Sequence, residues 1–396
     1  MNAGQSTALA GIKVLDLSRI LAGPSATQLL GDLGADIVKV EKPGEGDDTR
    51  KWGPPYIKNP SGQDTDESAY YLSANRNKRS IAIDMGSDQG SALLHRLIAR
   101  ADVLVENYKV GSLAKYGLSY EQLKDRYPRL IYCSITGFGQ TGPYASRPGY
   151  DFLIQGMGGI MSLTGEPEGL PMKVGVGIAD VMTGMYAAVG ILAALQERLG
   201  SGRGQHIDIA LLDTQIAWLV NAGTNYLTDR KVPKRLGNGH PNIVPYQVFP
   251  SADLPMILAV GNDAQFERFC HVAGMPDIPK DGRFATNVMR VQHRDEICAI
   301  VEARLKTKPR AFWLESLERV NVPCGPVNDL EAVFNDPHVR ARGAELHMDC
   351  EWAKGGEIHL LANPLKLSRT PPAYRYPPPR LDEHAVEVQA DWLADD

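Results

Sequence analysis

Ile12-Lys13-Val14-Leu15-Asp16-Leu17, a turn at Ala22-Gly23-Pro24, Ser25 to Leu33 closed by Gly34, and Ala35-Asp36-Ile37-Val38-Lys39-Val40-Glu41 form the stretch on which the fold is read. The first and last runs are short and apolar, as expected of strands buried on both faces. The segment between them carries helix-compatible residues and ends at a glycine. A strand, a helix and a strand in about 30 residues make a β-α-β unit, which implies parallel strands and a right-handed crossover. The alternation continues. Ser80 to Asp84 reads as a strand, Gly86 to Ala101 as a helix, Asp102 to Glu106 as a strand, Tyr120 to Tyr127 as a helix and Leu130 to Ile135 as a strand. This pattern predicts an α/β fold with a doubly wound sheet.

Further along, Asp180 to Leu199 reads as one long helix, with Asp180 as N-cap and Gly200 past its end. Gln205 to Ile209 is a strand and Asp213 to Leu227 helical. Lys231 to Pro250 is an irregular connection rich in Gly, Pro and His. Met256 to Val260 (strand), Ala264 to Ala273, Arg294 to Leu305 and Arg310 to Arg319 (helices) suit a smaller α+β domain. Glu331 to Asp336 is helical, Ile358 to Leu367 strand-like, and the proline-rich Pro371 to Pro379 extended.

Composition narrows the function classes. The 396 residues carry a formal charge of −5, with 43% hydrophobic and 22% charged residues. Disorder and general binding to nucleic acid or anionic membrane are thereby disfavoured. An anionic ligand would have to be held by local basic clusters. The 39 Gly and 27 Pro exceed the usual combined share of about 12%. Cys133, Cys270, Cys298, Cys324 and Cys350 are odd in number, with no C-x-x-C pair, which predicts reduced thiols in a cytoplasmic setting. No basic region precedes Lys13, and the longest apolar run, Tyr186 to Leu195, is half the length of a membrane span of about 20 residues. A soluble protein without a signal peptide is expected.

The chemistry-bearing motifs are few. The first β-α turn has no G-x-G-x-x-G, and P-loop, H-E-x-x-H and G-x-S-x-G patterns are absent. The nine histidines show no metal-ligand spacing, so no metal is expected. Asn75-Arg76-Asn77-Lys78-Arg79 is either a solvated loop or a phosphate clamp. Lys39 and Lys42 stand at the carboxyl end of a strand, where open α/β sheets bind ligands. Asp180 is either a helix N-cap or a carboxylate held ionised by the helix dipole, and so a nucleophile toward an acyl carbon. His240 is an acid/base group or a loop-packing residue. Gly261-Asn262-Asp263 is a mobile lid or an ordinary turn.

Taken together, LAGIKVLDLSRILAGPSATQLLGDLGADIVKVEKPGEGDDTR, YYLSANRNKRSIAIDM, VLVENYKVG, YCSITGFGQTGPYASRPGYD and GVGIADVMTGMYAAVGILAAL resemble the class III coenzyme A-transferases. The likeness continues through GRGQHIDIALLD, HPNIVPYQVF, NVPCGPVNDL and NPLKLSRTP, and so runs over nearly the whole chain in order. GDDTRKWGPPY and HPNIVPYQVF are most similar to the succinyl-CoA-dependent transferases of glutarate or hydroxymethylglutarate.

The resemblance implies an interlocked homodimer. Each chain would have a Rossmann-like large domain drawn from both ends (1–225 and 331–396) and a linker with a small α+β domain (226–330). It implies that Asp180 is the catalytic nucleophile, passing through an aspartyl anhydride and an aspartyl-CoA thioester. No tightly bound cofactor is implied, coenzyme A arriving as acyl-CoA substrate. The CoA site maps onto Leu21, Ala22, Lys42, Ile83, Asp84, Met85, Gly86, Asn107, Tyr108, Lys115, Thr136, Gly137, Phe138 and Gly139, with Arg76 and Lys78 nearby. Arg19, Arg50, Arg76 and His240 are candidates for the distal carboxylate of a dicarboxylic acid. Tyr70, Gly261 and Asn262 complete the substrate or lid set. The same superfamily holds 2-methylacyl-CoA racemases, which resemble G-H-D where this chain has Gly149-Tyr150-Asp151. A tyrosine is a poor substitute for a histidine base at neutral pH. A non-catalytic CoA-binding module is the other alternative.

Overall fold

The computed structural model describes residues 7–394. Six strands form its main sheet: β1 (Lys13–Asp16), β2 (Asp36–Glu41), β3 (Lys78–Ala82), β4 (Val103–Glu106), β5 (Ile131–Thr136) and β6 (His206–Ala210). Their spatial order is 3-2-1-4-5-6, and every neighbouring pair is parallel. This is the doubly wound order, in which ligands bind outside the carboxyl ends of the strands near the point where the order reverses. That point lies between β1 and β4.

The strands read as unbroken apolar runs because both faces are covered. Consecutive residues point to opposite faces. Val14, Val103, Val105, Ile131, Cys133 and Ile135 enter one core, while Leu15, Leu104 and Tyr132 enter the other. On the first face lie α1 (Ala22–Asp32) and the long helix, here α4 (Ile178–Ser201), which contributes Ala187, Ala188, Ile191, Ala194 and Leu195. On the second lie α2 (Asp88–Arg100) and the C-terminal helix α10 (Ala385–Trp392).

The chain divides into two compact units, 1–160 with 173–230 and 338–396, and 161–172 with 231–337. The first holds the main sheet. The second has a three-stranded antiparallel sheet, β7 (Tyr246–Pro250), β8 (Pro255–Ala259) and β9 (Cys324–Pro326), with β8 central. Phe249, Leu258, Phe266, Phe269, Ile297 and Trp313 fill its core. A two-stranded antiparallel sheet, β10 (Glu345–Asp349) with β11 (Glu357–Leu361), belongs to the first unit.

Several local expectations need correction. Ala22-Gly23-Pro24 is not a turn but the first turn of α1, where proline lacks only an N–H that the helix leaves unbonded anyway. The helical stretch after β6 is two helices, α5 (Leu211–Ala217) and α6 (Val220–Asp229), broken at Val220 with φ of 35°. The long helix begins at Ile178, so Asp180 is its third residue and not its N-cap; Gly202, at φ of 72°, ends it. At 24 residues and mean hydropathy 1.8 it is long and apolar enough to cross a membrane. Here one face of it, including Ala187, Ile191 and Ala194, packs in the core of the sheet. The helix α3 (Asp151–Met157), α10 and strand β10 have no counterpart among the elements read from the sequence.

Candidate active site

Asp180 stands in the first turn of α4, where backbone N–H groups lack intrahelical partners. The cap comes from outside the helix. Asp151, at the start of α3, accepts the N–H of Ala179 at 2.7 Å and that of Asp180 at 3.3 Å through the same Oδ1. Gln155 Nε2 holds the other oxygen at 2.7 Å. Burial, with the Asp151 charge added, pushes the Asp180 carboxyl up to about 7. Burial and the like charge thus act against the ionised form that the helix dipole is expected to hold.

Asp180 lines a cavity with Arg19, Leu21, Ala22, Asn107, Tyr108, Thr136, Gly137, Arg147 and Tyr150 among others. Its walls come from the loops after β1, β4 and β5 and from the start of α1, the carboxyl edge of the sheet. No side chain caps α1, and its first residue, Ala22, lines this cavity. Asn107 ties two of these loops together, accepting the N–H of Arg19 at 2.9 Å and donating to its carbonyl at 2.7 Å. Buried Glu106, pushed up to about 7 by burial, accepts the N–H of Tyr108 at 2.8 Å. α1 reaches the site through its close approach to α4. A Cβ on Gly184 would lie 2.6 Å from the Ala22 carbonyl oxygen.

An adjoining cavity shares Arg19 and Tyr108 and is lined by Lys42, Ile83, Asp84, Met85, Gly86 and Tyr116. Lys42 is exposed beside Glu45 at 2.5 Å. Lys115 Nζ lies 4.6 Å from the Tyr116 ring centre. Gly139 N donates to Thr136 Oγ1 at 2.9 Å, and Phe138 packs against Tyr144. Tyr70, edge-on to Trp52 at 5.3 Å, is pushed up to about 12 by burial and by the charges of Asp180, Asp151 and Asp47.

The basic cluster that leads into β3 is neither a phosphate clamp nor a solvated loop, because Asn75 to Arg79 are all buried and the last two belong to the strand. Arg76 forks onto Asp32 at 2.9 and 2.6 Å. Lys78 is spent on Asp16, Asn75 and the Pro24 carbonyl, at 3.0–3.1 Å. Arg79 pairs with Asp36, Glu387 and Asp391, anchoring the C-terminal helix. Lys39 is buried on Asp47 and the Ser18 carbonyl, both at 2.9 Å. Arg50 is also removed from the candidates: it is buried between Glu41 and Glu67, with Tyr71 and the Pro379 carbonyl completing its shell. Of the arginines proposed for a distal carboxylate, Arg19 alone lines the Asp180 cavity, and it pairs with Asp48 at 3.0 Å.

His240, Gly261 and Asn262 belong to the second unit. His240 Nδ1 accepts the Asn242 N–H at 3.1 Å, and burial lowers its pKa, with Arg294 adding. Gly261 and Asn262 form an orderly helix start. Asn262 caps the N–H of Gln265 at 2.9 Å, and Gly261 N donates to Gln265 Oε1 at 2.7 Å. Spacing alone also missed a histidine pair. His347 and His359 face each other across β10 and β11, with His359 Nδ1 2.8 Å from Glu345 Oε1. Arg147 and Tyr116 line these cavities without being read as site residues in the sequence, and Tyr150 and Asp151, quoted only for the racemase comparison, carry no role there: Tyr150 lines the Asp180 cavity and Asp151 bonds the α4 terminus. Asp151 had a readable signal, the only acidic residue in the run from Gly142 to Gly165, but its contact with the α4 terminus is long-range.

Comparison with known proteins is consistent along the chain. A "Succinate--glutarate CoA-transferase" of Agrobacterium fabrum is 51% identical over 383 residues, covering 97% of this chain and 95% of that one. The human "Succinyl-CoA:glutarate CoA-transferase" is 41% identical over 385 residues, covering 97% and 86%. A crystal structure of a CAIB/BAIF family protein from Brucella suis superposes with a TM-score of 0.85 at 48% identity, covering 98% of this chain and all of the other. Residues 9–385 match CoA-transferase family III, and the chain belongs to that family.

Proposed function

We propose that this CoA-transferase moves CoA from succinyl-CoA to glutarate or a related dicarboxylic acid such as hydroxymethylglutarate, with Asp180 as the nucleophile. The observation that carries the reading is the half-buried Asp180 on the wall of a cavity at the carboxyl edge of the sheet. The names of the similar transferases supply the substrates.

A carboxylate titrating near 7 is more basic than an ordinary one, and so a stronger nucleophile in its ionised form, which makes up about half of the population at neutral pH. Asp180 attacks the thioester carbonyl of succinyl-CoA, and the C–S bond breaks to give a succinyl-aspartyl anhydride and CoA thiolate. The thiolate attacks the aspartyl carbonyl, releasing succinate and leaving an aspartyl-CoA thioester. Glutarate then attacks that thioester, re-forming an anhydride and the thiolate. Thiolate attack on the glutaryl carbonyl yields glutaryl-CoA and frees Asp180. Thioester-level energy is conserved, so the exchange needs no ATP. The uncapped N–H groups at the start of α1, beside the cavity, are suited to the oxyanions formed along this path. Lys42 and Arg19 are the cations suited to CoA phosphates, because Arg76 and Lys78 are occupied inside the fold.

We further propose that two copies associate as an interlocked homodimer. Met185, Tyr186 and Val189 of α4, with Trp218, Val220 and Leu227 beyond α5, are exposed by 38 to 67%. Apolar surface of this extent marks an association face. A molar mass of one chain in solution by light scattering contradicts the dimer.

The nucleophile is tested by incubating the protein with succinyl-CoA, digesting it, and looking for CoA attached at Asp180 by peptide mass spectrometry. Near-normal CoA exchange in Asp180→Asn or Asp180→Ala sinks the assignment.

A further inference from the structure

We propose that Arg147 is the specificity residue for the acyl group, binding the free distal carboxylate of both donor and acceptor; this rests on the transferase reading above. Arg147 belongs to the loop 138–148, whose ends are drawn together at Gly137 and Gly149. A Cβ on either glycine would fall 2.4–2.5 Å from the Cα of the other. Leu212 N, at the start of α5, fastens the neck to the Gly137 carbonyl at 3.1 Å. Inside the loop Arg147 N donates to the Tyr144 carbonyl at 2.9 Å. The guanidinium lies 4.5 Å from the Tyr144 ring centre and 5.3 Å from that of Phe138. The two rings meet edge to face at 5.6 Å.

Aromatic faces hold a guanidinium without consuming its N–H donors. Among the described residues Arg147 pairs with no carboxylate, unlike Arg19, Arg50, Arg76 and Arg79. It nevertheless lines the same cavity as Asp180. Four residues further on, past Pro148, Gly149 and Tyr150, Asp151 bonds the backbone of Asp180. The cavity therefore combines the proposed nucleophile with an oriented, unneutralised guanidinium.

Succinyl and glutaryl groups both end in a free carboxylate and differ by one methylene. In a two-step exchange they occupy the same acyl site in turn. Arg147 matches a carboxylate with two parallel N–H bonds, and an exposed, loop-borne side chain accommodates both lengths. Lys109 also lines the cavity, but it follows Asn107 and Tyr108 on the CoA side and offers only a point charge.

The test compares glutarate with glutaramate, which has the same length but a neutral distal amide, as acceptors for succinyl-CoA. Acetyl-CoA serves as a donor without a distal charge. In Arg147→Gln, kcat/KM for glutarate and for succinyl-CoA falls about ten- to hundredfold, and the preference for glutarate over glutaramate disappears. Arg147→Lys retains part of that preference. Labelling of Asp180 from acetyl-CoA falls far less than succinyl-CoA turnover in both variants. The proposal is overturned if Arg147→Gln keeps the wild-type preference, if acetyl-CoA labelling falls as much as succinyl-CoA turnover, or if Lys109→Gln abolishes the preference instead. A wild-type protein that labels Asp180 from neither donor refutes the transferase reading itself, a result distinct from all of these.

Discussion

Asp151 and Asp180 share one hydrogen-bonded corner: Asp151 Oδ1 accepts the N–H of Asp180 at 3.3 Å while capping α4 through Ala179 at 2.7 Å. The cap that starts the helix is thus also the negative charge beside the proposed nucleophile. Burial comes first and Asp151 second in carrying Asp180 up to about 7.

The pH profile should report this pair. Transfer by the wild type falls as pH drops through about 7, where Asp180 takes up a proton. Asp151→Asn keeps an oxygen for the two N–H groups and removes the charge. Its acid limb should move to lower pH, though not to the ordinary carboxylate value, because burial remains. Asp151→Ala also loses the cap, at about 1 kcal/mol of stability. Initial rates by acyl-CoA chromatography between pH 5 and 9 decide it; an unmoved limb in Asp151→Asn rejects the coupling.

Stability should change with pH in the opposite sense to that of a salt-bridged carboxylate. Asp180 has a folded-state value above its ordinary 3.8, so the folded protein binds more protons than the unfolded chain between about 4 and 7. Stability from this group is therefore greatest below pH 4 and is lost as pH rises to 7. Asp180→Asn removes that slope. By urea unfolding it should exceed the wild type by of the order of 2 kcal/mol above pH 7, with the gap closing toward pH 4.

At the α1–α4 crossing, Gly184→Val should lower stability by about 1–3 kcal/mol through overpacking. The added carbon meets the Ala22 carbonyl at 2.6 Å, so α1 must move and take Leu21 and Ala22 with it. A raised KM for succinyl-CoA should accompany the lower melting temperature. A change in melting alone would mean that α1 does not shape the CoA site.

Gly149→Ala should act on catalysis through the loop neck. Its new carbon would sit 2.4 Å from the Gly137 Cα, backbone against backbone with no flexible group to yield. Transfer to glutarate should fall more than about tenfold in protein whose far-ultraviolet circular dichroism is unchanged. Wild-type kinetics would show that the neck is dispensable.

Lys78→Met separates a structural lysine from a phosphate-binding one. Lys78 is fully buried against Asp16, and removing one partner of a buried pair costs about 3–5 kcal/mol. Denaturant unfolding should show that loss, while the KM for acyl-CoA in folded material stays near wild type. A stable variant with weakened CoA binding would restore the phosphate-clamp reading.

The sequence by itself determined the parallel sheet, the long helix at whose start Asp180 stands, and the family. These rest on local periodicity, helix punctuation and motifs in order, all carried by neighbours along the chain. The use of charge was settled only by tertiary structure. Arg50, Arg76 and Lys78 look like free cations in one dimension, yet each finds a carboxylate nine to 62 residues away, because a buried charge must be paired. Arg147 looks like one more loop arginine until Phe138 and Tyr144 are seen to hold it where, among the described residues, no carboxylate neutralises it. Asp180 is legible as a carboxylate at a helix start, but its titration near 7 is not. That value depends on burial and on Asp151, brought to the same helix end from 29 residues upstream.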